Sequence, residues 1–66
     1  MATYSGYVVN ASGASVDAGA SDSLRELERR IRSQYGRGWT AVISRCGQDD
    51  ADLRYEYEVR RWALRG

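Results

Sequence analysis

The sequence predicts a small α+β domain in which one amphipathic helix packs on an antiparallel sheet, in the order β-(β)-α-β-β. One segment repeats apolar residues at helical spacing, two others are rich in β-branched and aromatic residues, and near the C-terminus apolar and charged residues alternate. A chain of 66 residues has room for one hydrophobic core. We therefore expect a single domain over residues 1–66.

The N-terminal part is expected to begin with a strand. Residues 3–9 contain β-branched and aromatic residues, which favour extended structure. A stretch of small residues follows, interrupted by Gly13 and Gly19. Within it, residues 15–18 fit either a short strand that returns from a turn or a flexible loop, and both readings stay open.

The helix is predicted over residues 23–35. Ser23 followed three residues later by Glu26 forms the sequence pattern of a capping box. Gly36 and Gly38 are expected to end the helix as left-handed caps.

The predicted helix has one apolar stripe and two internal ion pairs. The stripe consists of Leu24, Leu27, Ile31 and Tyr35. Glu26 precedes Arg30 by four residues and Glu28 precedes Arg32 by four, the favourable order for ion pairs on a helix.

The C-terminal part predicts a hairpin. Residues 39–45 form the first strand and residues 47–52 a polar turn. In the last strand, apolar residues alternate with charged ones: Leu53, Tyr55, Tyr57 and Val59 against Arg54, Glu56, Glu58 and Arg60. The helix stripe is expected to pack on Tyr55, Tyr57 and Val59. The alternation slips at Arg60-Arg61, where a bulge would turn Trp62 towards the core or leave it in an outer apolar patch.

The composition argues against an enzyme or a metal protein. The chain has no histidine and one cysteine, Cys46, so we expect no catalysis, no metal and no cofactor. The sequence shows no secretion leader and no apolar run that could span a bilayer, so we expect a cytoplasmic protein without a membrane partner.

The order of elements resembles that of small phage-encoded anti-CRISPR proteins that inhibit type I systems. The likeness covers a strand at residues 7–9, residues 16–18, the serine-capped helix, residues 38–42 and a closing strand with Tyr55, Tyr57 and Trp62. It implies a non-catalytic inhibitor that docks on a CRISPR RNA-guided complex in the host cytoplasm and blocks target DNA recognition. Its partner would be a protein or ribonucleoprotein complex, including Cas proteins.

The sequence offers two charged candidate surfaces. The preferred partner-binding surface is the acidic turn with the charged face of the last strand: Asp49, Asp50, Arg54, Glu56, Glu58 and Arg60. The alternative is a nucleic-acid-binding module that uses helix arginines: Arg25, Arg29 and Arg32. A third possibility is a structural subunit or homodimer that buries the end formed by Trp62 and Leu64.

Overall fold

A computed structural model describes residues 3–49 and 53–65. Its elements are β1 (Thr3–Asn10), β2 (Ser15–Ser21), α1 (Leu24–Gln34), β3 (Trp39–Asp49) and β4 (Leu53–Ala63). The strands form one antiparallel sheet in the order β2-β1-β3-β4. The predicted α+β class and element order are confirmed, and residues 15–18 belong to a strand.

The turn between β1 and β2 is built around the side chain of Asn10. Its Oδ1 accepts hydrogen bonds from Ser12 N–H at 3.0 Å, Ser12 Oγ at 2.7 Å and Ala14 N–H at 3.0 Å. Gly13 supplies the left-handed backbone that the turn requires, with φ of 91°. A single amide oxygen thus directs the small-residue segment back as β2.

The start of α1 uses half of the predicted capping box. Ser23 Oγ accepts a hydrogen bond from Glu26 N–H at 3.3 Å. The N–H of Ser23 donates instead to Ser21 Oγ at 3.1 Å. The Glu26 carboxylate lies 3.5 Å from the Arg30 guanidinium, which confirms the predicted ion pair. The carboxylate therefore binds Arg30 and does not return to the Ser23 N–H.

The end of α1 differs from the prediction. The helix ends at Gln34, and Tyr35 is extended, with its N–H donating to Ile31 O at 2.9 Å. Gly36 is not among the glycines with positive φ, whereas Gly38 has φ of 98° and leads into β3. The expectation of left-handed glycine caps was therefore wrong, because an extended Tyr35 already ends the helix.

The core lies between α1 and one face of the sheet. Its buried members are Val8, Ala18, Leu27, Ile31, Ala41, Ile43 and Leu64. Gly6 of β1 lies directly under the helix, where a Cβ atom would lie 3.1 Å from Ile31 Cδ1. Glycine at this position therefore lets the helix settle directly on the sheet.

The predicted packing of the helix on β4 was wrong. Tyr57 and Val59 are 41% and 37% exposed. The side chain of Tyr55 is not among those that the structure describes. The helix contacts mainly β1 and β2, while β4 lies at the opposite edge of the sheet beyond β3. The helix lies over β1 and β2, so Tyr57 and Val59 stay largely exposed, whereas Trp62 further along β4 packs against the core.

A bulge in β4 produces the predicted change of phase, one residue earlier than expected. Ile43 pairs with Arg60 and Ser44 pairs with Glu58, which leaves Val59 as the extra residue. After the bulge, Arg60 and Trp62 face the helix side. Trp62 is partly buried against the core, so the inward orientation is the one adopted.

Candidate interaction surfaces

The sheet has one face that no helix of the described residues covers. Gly6 and Val8 face the helix, so the alternating Ser5, Tyr7 and Val9 point to the other side. Strand register extends this surface across the sheet. The open sheet face consists of Ser5, Tyr7, Val9, Asp17, Thr40, Val42, Ser44, Cys46, Glu56, Glu58, Arg61 and Ala63.

Tyr7 and Arg61 flank Val42 at the centre of the open sheet face. Val42 is only 1% exposed although it lies outside the cluster under the helix. Its cross-strand neighbours are Tyr7 on β1 and Arg61 on β4, and long side chains at such positions lie against each other. Asp17 pairs with Tyr7 on the far side, so the row runs from a carboxylate to a guanidinium.

An ion pair neutralises the arginine of this row. Arg61 Nη2 and Nε lie 2.8 Å and 3.2 Å from Glu58 Oε1. Hydrogen bonding to Glu58 and its negative charge raise the pKa of Arg61, and Tyr7 acts in the same direction to a smaller extent. Among the side chains that the structure describes, Asp17 and Glu56 form no ion pair. The described side chains of the open sheet face therefore keep a net negative charge.

The structure divides the predicted partner-binding surface. Glu56 and Glu58 lie on the open sheet face, as expected from alternation. Arg60 does not join them: its Nε lies 2.8 Å from Glu28 Oε2 on the helix. The bulge at Val59 causes this difference, because the inserted residue reverses the side to which Arg60 points.

The remaining members of that surface lie at the hairpin end. Arg54 pairs with Gln48, and Asp49 pairs with Leu53, so both belong to the ladder between β3 and β4. Their side chains are outside the description. Asp50 lies outside the described residues altogether.

Among the members of the open sheet face that sequence reasoning missed, three have polar or charged side chains at its centre row: Tyr7, Asp17 and Arg61. Tyr7 could have been found, because it alternates with Val8 in a predicted strand. Asp17 and Arg61 could not, because each lies next to or beyond an irregularity in its strand, at Ala18 in β2 and at Val59 in β4. Beyond a bulge, alternation along the strand no longer predicts the face of the sheet to which a side chain points.

The helix arginines lie on the other side of the molecule. Arg25, Arg29 and Arg32 are all exposed. The predicted pair between Glu28 and Arg32 was wrong, because Glu28 binds Arg60 of β4.

The ring of Trp62 contacts one arginine of the helix and one arginine of β4. The Arg32 guanidinium lies 5.8 Å from its ring centroid and that of Arg60 lies 4.8 Å away, both within cation–π range. Leu64 is buried in the core, and its N–H donates to Trp39 O at 2.8 Å. The end that could have served a homodimer is thus largely used within the fold.

The chemistry available on these surfaces is hydrogen bonding, charge and aromatic contact. The described residues contain no group of three or more Cys, Asp and Glu side chains arranged to hold a metal ion, and Cys46 is half-buried. The helix of the described part is not long and apolar enough to cross a membrane. No protein-family model, curated protein or solved structure matches this chain.

Proposed function

We propose that this chain is a non-catalytic binding protein of the anti-CRISPR type, which docks through the open sheet face on an RNA-guided complex and blocks target DNA recognition. Its partner is a protein or ribonucleoprotein surface in the cytoplasm of a host cell. The observation that carries the proposal is the uncovered sheet face, with Tyr7 at its centre and carboxylates around it. An uncovered sheet face of this kind supports docking without any catalytic group.

Charge gives this surface a preference for a basic partner. The Glu58 carboxylate is occupied by Arg61, whereas Asp17 and Glu56 keep their charge without an ion pair among the described residues. Proteins that hold DNA do so largely through arginine and lysine contacts to phosphates. An acidic face can therefore occupy the same basic groove and compete with DNA.

The opposite charge of the helix side supports a defined orientation. Arg25 and Arg29 lie on the exposed side of α1, away from the open sheet face. A basic groove attracts the sheet side of this molecule and repels the helix side. Such charge asymmetry orients an encounter before contact and raises the association rate.

The proposal can be tested with a purified type I surveillance complex and a fluorescent target duplex. Added protein should bind the complex and lower its occupancy by DNA in a fluorescence-anisotropy competition. Asp17→Asn combined with Glu56→Gln should weaken binding about tenfold at low salt, with a smaller effect at high salt. The asparagine substitution keeps a side-chain oxygen where Asp17 Oδ1 accepts a hydrogen bond from Gly19 N–H at 3.1 Å.

The matched control removes the same charge elsewhere. Asp22→Asn combined with Glu26→Gln changes two exposed carboxylates outside the open sheet face. This control should compete like the parent. Equal weakening by both pairs would show that only net charge matters, and a parent protein that fails to bind the complex would refute the inhibitor proposal.

A further inference from the structure

The outer side of α1 carries a straight row of arginines. Arg25, Arg29 and Arg32 are exposed and follow each other at intervals of four and three residues. With 3.6 residues per turn, the three fall within an arc of about 60° and span about 10 Å along the axis. We call these three residues the arginine row.

The glutamates beside the arginine row bind other partners. Glu26 lies 3.5 Å from Arg30, whose Nη1 also donates to Ala20 O at 3.3 Å. Glu28 lies 2.8 Å from Arg60 of β4. The arginine row therefore has no carboxylate partner among the described residues, although two glutamates stand on the same helix.

The surroundings of the row favour an external anion. Arg32 is positioned over the ring of Trp62, at 5.8 Å from its centroid. At the other end, Ser23, Arg25, Glu26 and Arg29 line a surface depression of about 270 Å³ next to the helix N-terminus. Planar guanidinium groups bind phosphates through two parallel hydrogen bonds, and the helix dipole adds attraction at that end.

We propose that the arginine row binds the phosphate backbone of a nucleic acid. Three guanidinium groups in line match a linear polyanion whose charges recur every few ångströms, whereas a single carboxylate would engage one of them. The contacts reach phosphates and no base edges, so binding is expected to be independent of sequence. This inference uses the side of the molecule opposite the open sheet face and does not depend on the proposed function.

The test uses fluorescent oligonucleotides alone, without any CRISPR complex. Anisotropy should show binding at low salt to duplex and single-stranded probes, and log K should fall with log salt at a slope of about −2 to −3 for three phosphate contacts. The triple variant Arg25→Gln, Arg29→Gln and Arg32→Gln should lose most of this binding and most of the slope. Circular dichroism should show an unchanged fold, because all three side chains are exposed.

A second triple variant controls for net charge. Arg37→Gln, Arg45→Gln and Arg65→Gln remove three exposed arginines outside the row and should keep most of the binding. Equal loss in both triple variants would overturn the proposal, as would no detectable binding by the parent. Poly-glutamate that competes as well as an unlabelled oligonucleotide of equal charge would overturn the assignment to nucleic acid and favour an acidic protein.

Discussion

Glu28 of the helix and Arg60 of the edge strand form an ion pair, with Oε2 and Nε 2.8 Å apart. The pair connects α1 to β4, as does the contact between Arg32 and the ring of Trp62. The Glu28 side chain is only 18% exposed, so water screens the pair less than it screens a fully exposed one. The Arg60 guanidinium also covers the ring of Trp62 at 4.8 Å.

A double-mutant cycle should detect this connection. Glu28→Gln and Arg60→Gln should each destabilise the protein, with a coupling free energy of about 0.5–1 kcal/mol between them. Urea denaturation provides the free energies of unfolding. The same cycle between Glu28→Gln and Arg32→Gln should be additive within error, and a larger coupling in this second cycle would contradict the observed pairing.

Leu27→Ala should remove a large part of the stability. Leu27 is fully buried on the side of the helix that faces the sheet, and truncation of such a residue costs about 2–5 kcal/mol. Val59→Ala should cost less than about 1 kcal/mol, because Val59 is 37% exposed and the helix does not cover it. Thermal denaturation of both variants separates the observed packing from the packing predicted by alternation, which would make Val59→Ala costly as well.

Gly6→Val should destabilise by about 1–3 kcal/mol through overpacking. Its Cβ would lie 3.1 Å from Ile31 Cδ1 and 3.5 Å from Leu27 Cδ2. Ile31→Val removes the nearer methyl group, so it should cost less stability in the Gly6→Val background than in the parent. Additive losses in the measured unfolding free energies would show that the helix does not press on this glycine.

Asn10→Ala should lower stability by about 1 kcal/mol, because it removes three hydrogen bonds that hold the first turn. For a domain of this size, the melting temperature should fall by about 4–8 °C. Asn10→Asp keeps an accepting oxygen at the same place and should melt close to the parent. A loss as large in the aspartate variant would mean that the side-chain oxygen is not the stabilising group.

The elements that sequence predicted well are those with a local cause. Ser23 caps its own helix, and Leu27 and Ile31 repeat at helical spacing, so residues within one segment determine both features. The position of α1 above β1 has a different origin. It depends on Gly6, a residue far away in sequence whose missing side chain makes space for Ile31.

The candidate surfaces were harder to predict, because each bulge changes the face of the sheet to which the following side chains point. Glu56 and Glu58 precede the bulge at Val59 and keep the face that alternation gives them. Arg60 follows the bulge and points to the opposite face. There it forms an ion pair with Glu28, for which the sequence predicted Arg32 as the partner. The sequence shows that the alternation changes phase before Trp62, but it does not show which residue is inserted, because charged residues lie on both sides of the change.

The bulge also affects how this sheet meets other sheets. β4 is an edge strand, and its outer N–H and C=O groups are not paired with another strand of the described part. A regular edge of 11 residues would be a template for an additional strand from another chain. The extra residue at Val59 interrupts the even spacing of those groups near the middle of β4. Addition of a strand from another copy along this edge is thereby disfavoured.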